Sequence, residues 1–286
     1  MHHLSAAAEA AADGAGHPYD TDTQVEPIAG VEGAFAATIS ERWNALGGTA
    51  NGGYLLAVCL QALRRTMPFP DPLVASAFYL RPGLPGPAEV RTELVRNGRR
   101  TATGEARLLR SGVEVVRALA TFADLRQPVG SGRTLVLNRK PGLPPPAELP
   151  DLLGGGSLPG VSITEMVEYR MAKPPGWLRG QPSGDPSAEL WLRFRGGREP
   201  DLLSLALLAD AAAPVVLELG ETGSATLELT VHLRAHPAPG WLACRAQTRY
   251  VLGGYHEEDF ELWDSAGRLV AQSRQLALLP GSPARG

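Results

Sequence analysis

Cysteine is nearly absent: Cys59 and Cys244 are the only two in 286 residues. Two thiols so far apart in sequence make neither a disulfide framework nor a thiolate metal site. Cys59 lies in an apolar run where it packs as a small hydrophobe, which fits a reducing compartment. An excess of one charge is lacking too. Lys and Arg number 27 against 30 Asp and Glu, a net charge of -3, and that excludes the footprint of a nucleic-acid binder or a polybasic membrane signal. Lysine is confined to Lys140 and Lys173; the arginine bias reads as a trait of the source and carries no functional weight. No stretch reaches ~18 consecutive apolar residues, so no membrane span is expected. The opening segment has no basic n-region, and Glu9 and Asp13 interrupt its alanines. It reads as neither signal peptide nor anchor, and residues 1–25 are expected to be a poorly ordered tail on a cytoplasmic protein.

Motifs of several chemistries are missing as well. There is no G-x-S-x-G elbow for a covalent serine and no G-x-x-x-x-G-K-[ST] loop for nucleotide phosphates. His232 and His236 are four apart, but on or beyond a strand and without H-E-x-x-H, so no metal is expected. His256, in GGYHEED, reads as a solvent-facing turn residue, and Trp241 and Trp263 as packing in a sheet.

What is present is a core-forming composition, 44% hydrophobic and 20% charged, in a chain longer than the ~100–200 residues of one ordinary domain. Two segments of like grammar flank a Pro/Gly-rich middle. In the first, Val31–Trp43 reads as a strand, Gly53–Met67 as a helix, and Leu73–Leu80, Ala88–Arg96, Thr101–Arg110 and Val113–Phe122 as strands. In the second, Ala188–Phe194 is a strand and Leu202–Ala213 a helix ended by Pro214. Ala225–Arg234, Leu242–Tyr250, Glu257–Trp263 and Arg268–Leu279 are the strands that follow. The expected division is a tail at 1–25, a unit at 26–124, a surface linker at 125–186 with one strand candidate at Ser162–Tyr169, a unit at 187–280, and a tail at 281–286.

The halves superpose as a repeat. Phe-Tyr-Leu-Arg at 78–81 falls on Val-His-Leu-Arg at 231–234, Arg91 on Arg245 and Gly112 on Gly267, with the offset drifting only from 153 to 155. YLLAVCLQAL and LLSLALLADAAA are apolar on nearly every side, so neither is a surface helix and both must be enclosed. An antiparallel five-stranded sheet curled around one central helix, made twice and paired side by side, satisfies this: an α+β architecture.

TANGGYLLAV, FYLRPG, the NGR turn at 97–99, LALLADAAAP, TLELTVHLRA, a following GW and GRLVAQSRQ together resemble the double-hotdog acyl-CoA thioesterases of the thioesterase II type. The resemblance spans roughly Glu32 to Leu279. It implies a tandem hotdog fold, hydrolysis of acyl-CoA thioesters at one site between the two units, and no metal or organic cofactor. An acyl-carrier protein thioester is a second substrate form, and a homodimer or higher homo-oligomer is expected. Two other roles stay open on such a fold: a non-hydrolytic acyl-CoA or acyl-carrier binder, and a dehydratase-like acyl-modifying enzyme. The G-D-x-N-P-x-H of hydratase-type hotdogs is absent.

Asp210 is the only charged residue between Leu202 and Pro214, in a helix that should be buried, where an ionised carboxylate is costly. A place in the last turn, at the negative end of the helix dipole, is expected to raise its pKa and suit it as a general base. An exposed Asp near a helix end is the plainer reading. The resemblance puts Asp210 at the family's catalytic aspartate, Gln275 at its catalytic glutamine and Thr226 at the third polar position, the trio that holds a nucleophilic water. Alternation turns Gln275 inward with Ala271, Ser273 and Ala277, and Gln272 outward. It groups Thr226 with Glu228, Thr230 and His232 on the more polar face, unless a bulge intervenes, and leaves Thr230 as a competitor.

The repeat sets Asp210 near Leu56, Thr226 on Leu73 and Gln275 on Ala120, so one site per chain is expected. In the first half Asn51, Gly52 and Gly53 precede the helix. Asn51 suits an N-cap, and bare backbone amides there can face a developing oxyanion. The resemblance assigns that role to Gly53.

Overall fold

The computed structural model describes residues 16–127 and 132–280. The chain-terminal parts of the two expected tails, 1–15 and 281–286, lie outside them. The rest of the first tail is built into the fold. Pro18–Asp22 is a short helix, α1, capped by His17. Tyr19 is fully buried beside Trp43 of the first half and Phe194 of the second. Asp22 accepts from the Trp43 indole at 2.8 Å and from Arg42. Aromatic burial and a shared carboxylate hold a segment that its composition assigned to disorder.

The first half runs β1 (Glu26–Pro27), β2 (Ala34–Ile39), α2 (Gly52–Thr66), β3 (Asp71–Tyr79), β4 (Gly86–Asn97), β5 (Ala102–Arg110) and β6 (Val113–Ala123). The middle segment supplies α3 (Ile163–Met166) and β7 (Val167–Arg170). The second half runs β8 (Ser187–Phe194), α4 (Ser204–Leu208), β9 (Ala225–Leu233), β10 (Leu242–Gln247), β11 (Val251–Leu252), β12 (Tyr255–Trp263) and β13 (Leu269–Leu278). All strands join one antiparallel sheet, in the order β1-β2-β4-β5-β6-β3-β9-β13-β12-β10-β8-β7, with β11 on β12.

The repeat is visible in that order: β2-β4-β5-β6-β3 mirrors β8-β10-β12-β13-β9. The halves meet where equivalent strands β3 and β9 pair antiparallel. The equivalent pairs Ala75–Ala120 and Leu229–Gln275 set an offset of 154 along β3 and β9, so Ser76 lies opposite its own equivalent, Thr230, on a local twofold axis, with Ala75 opposite Val231 and Ala77 opposite Leu229 on either side.

Asn51 caps α2 by accepting from the Tyr54 amide at 2.9 Å. Ten of the fifteen residues of α2 are buried, including Leu55, Leu56, Leu60 and Leu63, each contributing about 1.5–3 kcal/mol by leaving water. The second helix departs from expectation. Only Ser204–Leu208 is helical, not Leu202–Ala213, because side chains from elsewhere take the carbonyls that would continue it. Ser273 Oγ donates to Ala209 O at 2.7 Å, Asn51 Nδ2 to Asp210 O at 2.7 Å and Tyr169 Oη to Ala211 O at 2.7 Å. Pro214 has no N–H to return to Asp210 O. The middle segment is likewise more than a surface connector: β7 pairs with β8 of the second half, and at the start of α3 Ile163 N donates to Asn44 O of the first half at 3.1 Å.

Candidate active site

Asp210 follows the end of α4, in a loop pinned on three sides. Ser273 holds the residue before it. Glu258 of β12 accepts from the Val215 amide at 2.7 Å beyond it. The start of α2 holds the carboxylate itself, since Asp210 Oδ2 accepts from Gly53 N at 2.7 Å and from Asn51 Nδ2 at 3.0 Å. The carboxylate therefore faces the positive end of the first half's helix, not the negative end of its own. Burial pushes its pKa up to about 6, against the opposing pull of the Gly53 and Asn51 donors. The direction agrees with the sequence reading; desolvation, not the dipole, is the cause.

These contacts also change what Gly53 does. Its amide, assigned to an oxyanion, is spent on Asp210. A Cβ at position 53 would lie 2.6 Å from Ala206 O and 3.0 Å from Leu207 Cα. Glycine is there because α2 and α4 cross at backbone contact.

Thr226 and Gln275 come together. Thr226 Oγ1 donates to Gln275 Oε1 at 2.7 Å. A bulge brings this about: Gln275 stands opposite Leu229 and Ala277 opposite Thr226, the register slipping at Leu276. Leu227 is the extra residue, and it turns Thr226 to the inner face while Thr230 stays on the outer one. There Thr230 bonds Ser76 at 2.7 Å and Glu228. Gln275 is buried and Gln272 half-buried, as parity requires.

Three residues near this cluster escaped the sequence reading. Glu258, 1% exposed, stands opposite Gln275 and accepts from its Nε2 at 3.4 Å. Burial pushes its pKa up to about 8, with the Asp210 charge adding to the rise and the Val215 amide opposing it. Burial thus raises both carboxyls, Glu258 further than Asp210. His256, expected in solvent, is buried on the same face of β12, two residues before Glu258. Its Nε2 lies 2.8 Å from Ser224 Oγ. Tyr79, at the end of β3, points inward after Ala75 and Ala77. Alternation along YHEEDFELW, with Phe260 and Leu262 on the inner side, was the signal available for His256 and Glu258.

Asp210 and Asn51 also line a cavity of about 430 Å³. Its walls include Leu46, Val161, Ile163, Met171, Trp177 and Leu190, so the Pro/Gly-rich middle segment forms much of an apolar chamber against the second half. Among the described residues no group of three or more His, Cys, Asp or Glu could hold a metal ion, and no helix is long and apolar enough to cross a membrane. His236 lies 3.1 Å from Asp71.

Comparison with known proteins gives two family matches, an acyl-CoA thioesterase N-terminal domain over residues 39–123 and an acyl-CoA thioesterase C-terminal domain over residues 141–279. Uncharacterized proteins of Mycobacterium tuberculosis and Mycobacterium bovis are 30% identical over 268 residues, covering 86% of this chain and 91% of theirs. Among solved structures, a candidate thioesterase II of Thermobifida fusca YX aligns with a TM-score of 0.82 at 28% identity, over 93% of this chain and 98% of that one. A hot dog fold protein of unknown function from Alicyclobacillus acidocaldarius gives 0.80 at 23% identity, over 94% and 100%. An acyl-CoA thioesterase II from Mycobacterium marinum gives 0.70 at 18%, over 93% and 99%.

Proposed function

Since the chain belongs to the acyl-CoA thioesterase family and has its tandem hotdog fold, we propose that it hydrolyses acyl-CoA thioesters with a water held by Asp210, Thr226 and Gln275. The observation that carries this reading is Asp210. It is a buried carboxylate with a pKa of about 6, pinned where the two halves meet and exposed to an apolar chamber on one side. That pKa leaves it ionised at neutral pH yet basic enough to take a proton.

The chemistry follows from the donors present. Thr226 spends its one proton on Gln275 Oε1, so its oxygen is free to accept from water, and the Gln275 amide, turned by Glu258, is free to donate. Asp210 takes a proton from this water as its oxygen adds to the thioester carbonyl carbon. The C–S bond then breaks, and the coenzyme A thiolate leaves with the proton from Asp210. The acyl group extends into the chamber beside Asp210. The chain acts as a homodimer or larger homo-oligomer, which light scattering tests against the 30.3 kDa chain mass.

The deciding experiment is thiol release from a panel of acyl-CoA thioesters of graded chain length. Turnover of thioesters with acyl groups long enough to fill the chamber, in preference to acetyl-CoA, is expected. Absence of thiol release from every member would overturn the reading in favour of a binding protein.

A further inference from the structure

Tyr79 ends β3 at the seam, one residue beyond the last β3–β9 pair, Phe78 with Glu228. Its ring follows Ala75 and Ala77 onto the inner face, next to the bulge that turns Thr226 inward. The inner face thus carries Tyr79, Thr226, Gln275 and Glu258 from four successive strands, β3, β9, β13 and β12. Three of the four hydroxyl, amide and carboxyl groups are bonded to one another. The fourth is not: the Tyr79 hydroxyl oxygen is buried and has no hydrogen-bond partner.

A buried hydroxyl without a partner costs stability that a phenylalanine would not incur. Its surroundings indicate what it serves. A Cβ on Gly52 would lie 2.9 Å from Tyr79 Oη, 2.8 Å from its Cζ and 3.2 Å from Asp210 Oδ2. The phenol and the base therefore both pack against the first peptide of α2, at a spacing that only glycine allows. The Gly53 amide is committed to Asp210, so the donor usually expected from a helix start is no longer available for an oxyanion. The Gly52 amide, at the first helical position, has no intrahelical acceptor.

We propose that the Tyr79 hydroxyl donates a hydrogen bond to the thioester carbonyl oxygen and stabilises the oxyanion formed when water adds. No proton is transferred from Tyr79. The water oxygen bonds to the carbonyl carbon, its proton goes to Asp210, and the negative charge rests on the carbonyl oxygen beneath the phenol. Collapse restores the C=O bond and expels the thiolate. Burial holds the phenol well above its ordinary pKa, so it remains a donor throughout the range in which Asp210 is ionised. The inference rests on the thioesterase reading and adds a residue of the first half to its chemistry.

Tyr79→Phe removes one oxygen and nothing else. With an acyl-CoA that the wild type turns over, kcat is expected to fall by roughly 10²-fold, the usual effect of losing one oxyanion donor, with KM within about two-fold. The melting temperature should stay level or rise, since no native hydrogen bond is lost. A kcat within about three-fold of wild type overturns the proposal. So does a variant that melts lower or fails to fold, because the hydroxyl then has a structural partner. Asp210→Asn measured alongside separates the two levels: if it lowers kcat by roughly 10²-fold or more while Tyr79→Phe stays within about three-fold of wild type, only the role of Tyr79 fails. If the wild type releases no thiol from any thioester, the functional reading falls and this inference with it.

Discussion

The two halves of this chain share a sheet order and differ in how they fill it. In the first half α2 runs fifteen residues, and its far end occupies the inner face of its own sheet. Gly104 pairs with Ala120 there, and a Cβ on Gly104 would strike Met67 Cε at 2.6 Å and Leu63 Cδ2 at 2.9 Å. In the second half Glu258 pairs with Gln275 at the equivalent place. The helix that would cover them stops after five residues and gives way to the Asp210 loop. Even the bulge is duplicated, since β3 slips its register between Pro72 and Val74 as β9 does around Leu227. The bulges align Thr226 with Pro72, one residue from the Leu73 that the bare offset suggested. The same scaffold thus spends one helix end on a dry core and the other on a polar site. On the proposed reading, a duplicated fold has a single site where one copy gives up helix length.

The comparison is broken most severely at Asp210. Asp210→Asn keeps an acceptor for Gly53 and Asn51 but removes the base, so kcat is expected to drop by roughly 10²–10⁴-fold with KM little changed. In the wild type kcat/KM should rise as pH increases through about 6, where Asp210 loses its proton. An unchanged kcat in the folded variant would remove Asp210 from the chemistry.

Making the second half resemble the first is expected to cost less. Gln275→Ala reproduces Ala120, and a loss on the order of 10²-fold in kcat is anticipated for one transition-state donor. A smaller loss is expected for Thr226→Val, and none for Thr230→Val, whose hydroxyl lies on the other face. Equal losses at both threonines, measured by steady-state kinetics, would contradict the bulge argument.

The converse change should fail to build a second site. Leu56→Asp with Ala120→Gln puts a carboxyl into the packed interior of α2, and denaturant unfolding should report a loss of about 3 kcal/mol or more. In the Asp210→Asn background, titration with a non-hydrolysable acyl-CoA analogue should give one molecule per chain, with or without these changes. Two equivalent sites would end the account of asymmetry given by the two helices.

The smallest effect expected is at Glu258. Its folded pKa of about 8 lies above the ordinary value of 4.5, so the native state holds a proton that the unfolded chain releases. The stability this contributes is full below about 4.5 and is lost as pH rises through about 8. Glu258→Gln stays neutral and can keep the Val215 bond. Its melting temperature should therefore gain on the wild type between about pH 5 and pH 8, and a gain independent of pH would contradict a protonated Glu258.

Much of this was legible from the sequence alone. The duplication was, because strand alternation, turn residues and apolar helices are local patterns that repeat when the fold repeats. So were the buried place of Asp210, a lone charge in an apolar run, and the inward face of Gln275, set by parity along an unbroken strand. Tertiary structure alone decided where the second helix ends, since its carbonyls are claimed by Asn51, Tyr169 and Ser273 from distant parts of the chain. It also decided which face Thr226 occupies, because counting by twos fails across a bulge, and why Asp210 is basic, because desolvation is set by what packs around a group and not by its neighbours in sequence. The middle segment, rich in breakers and silent in pattern, became a wall of the chamber through contacts that only the folded chain brings together.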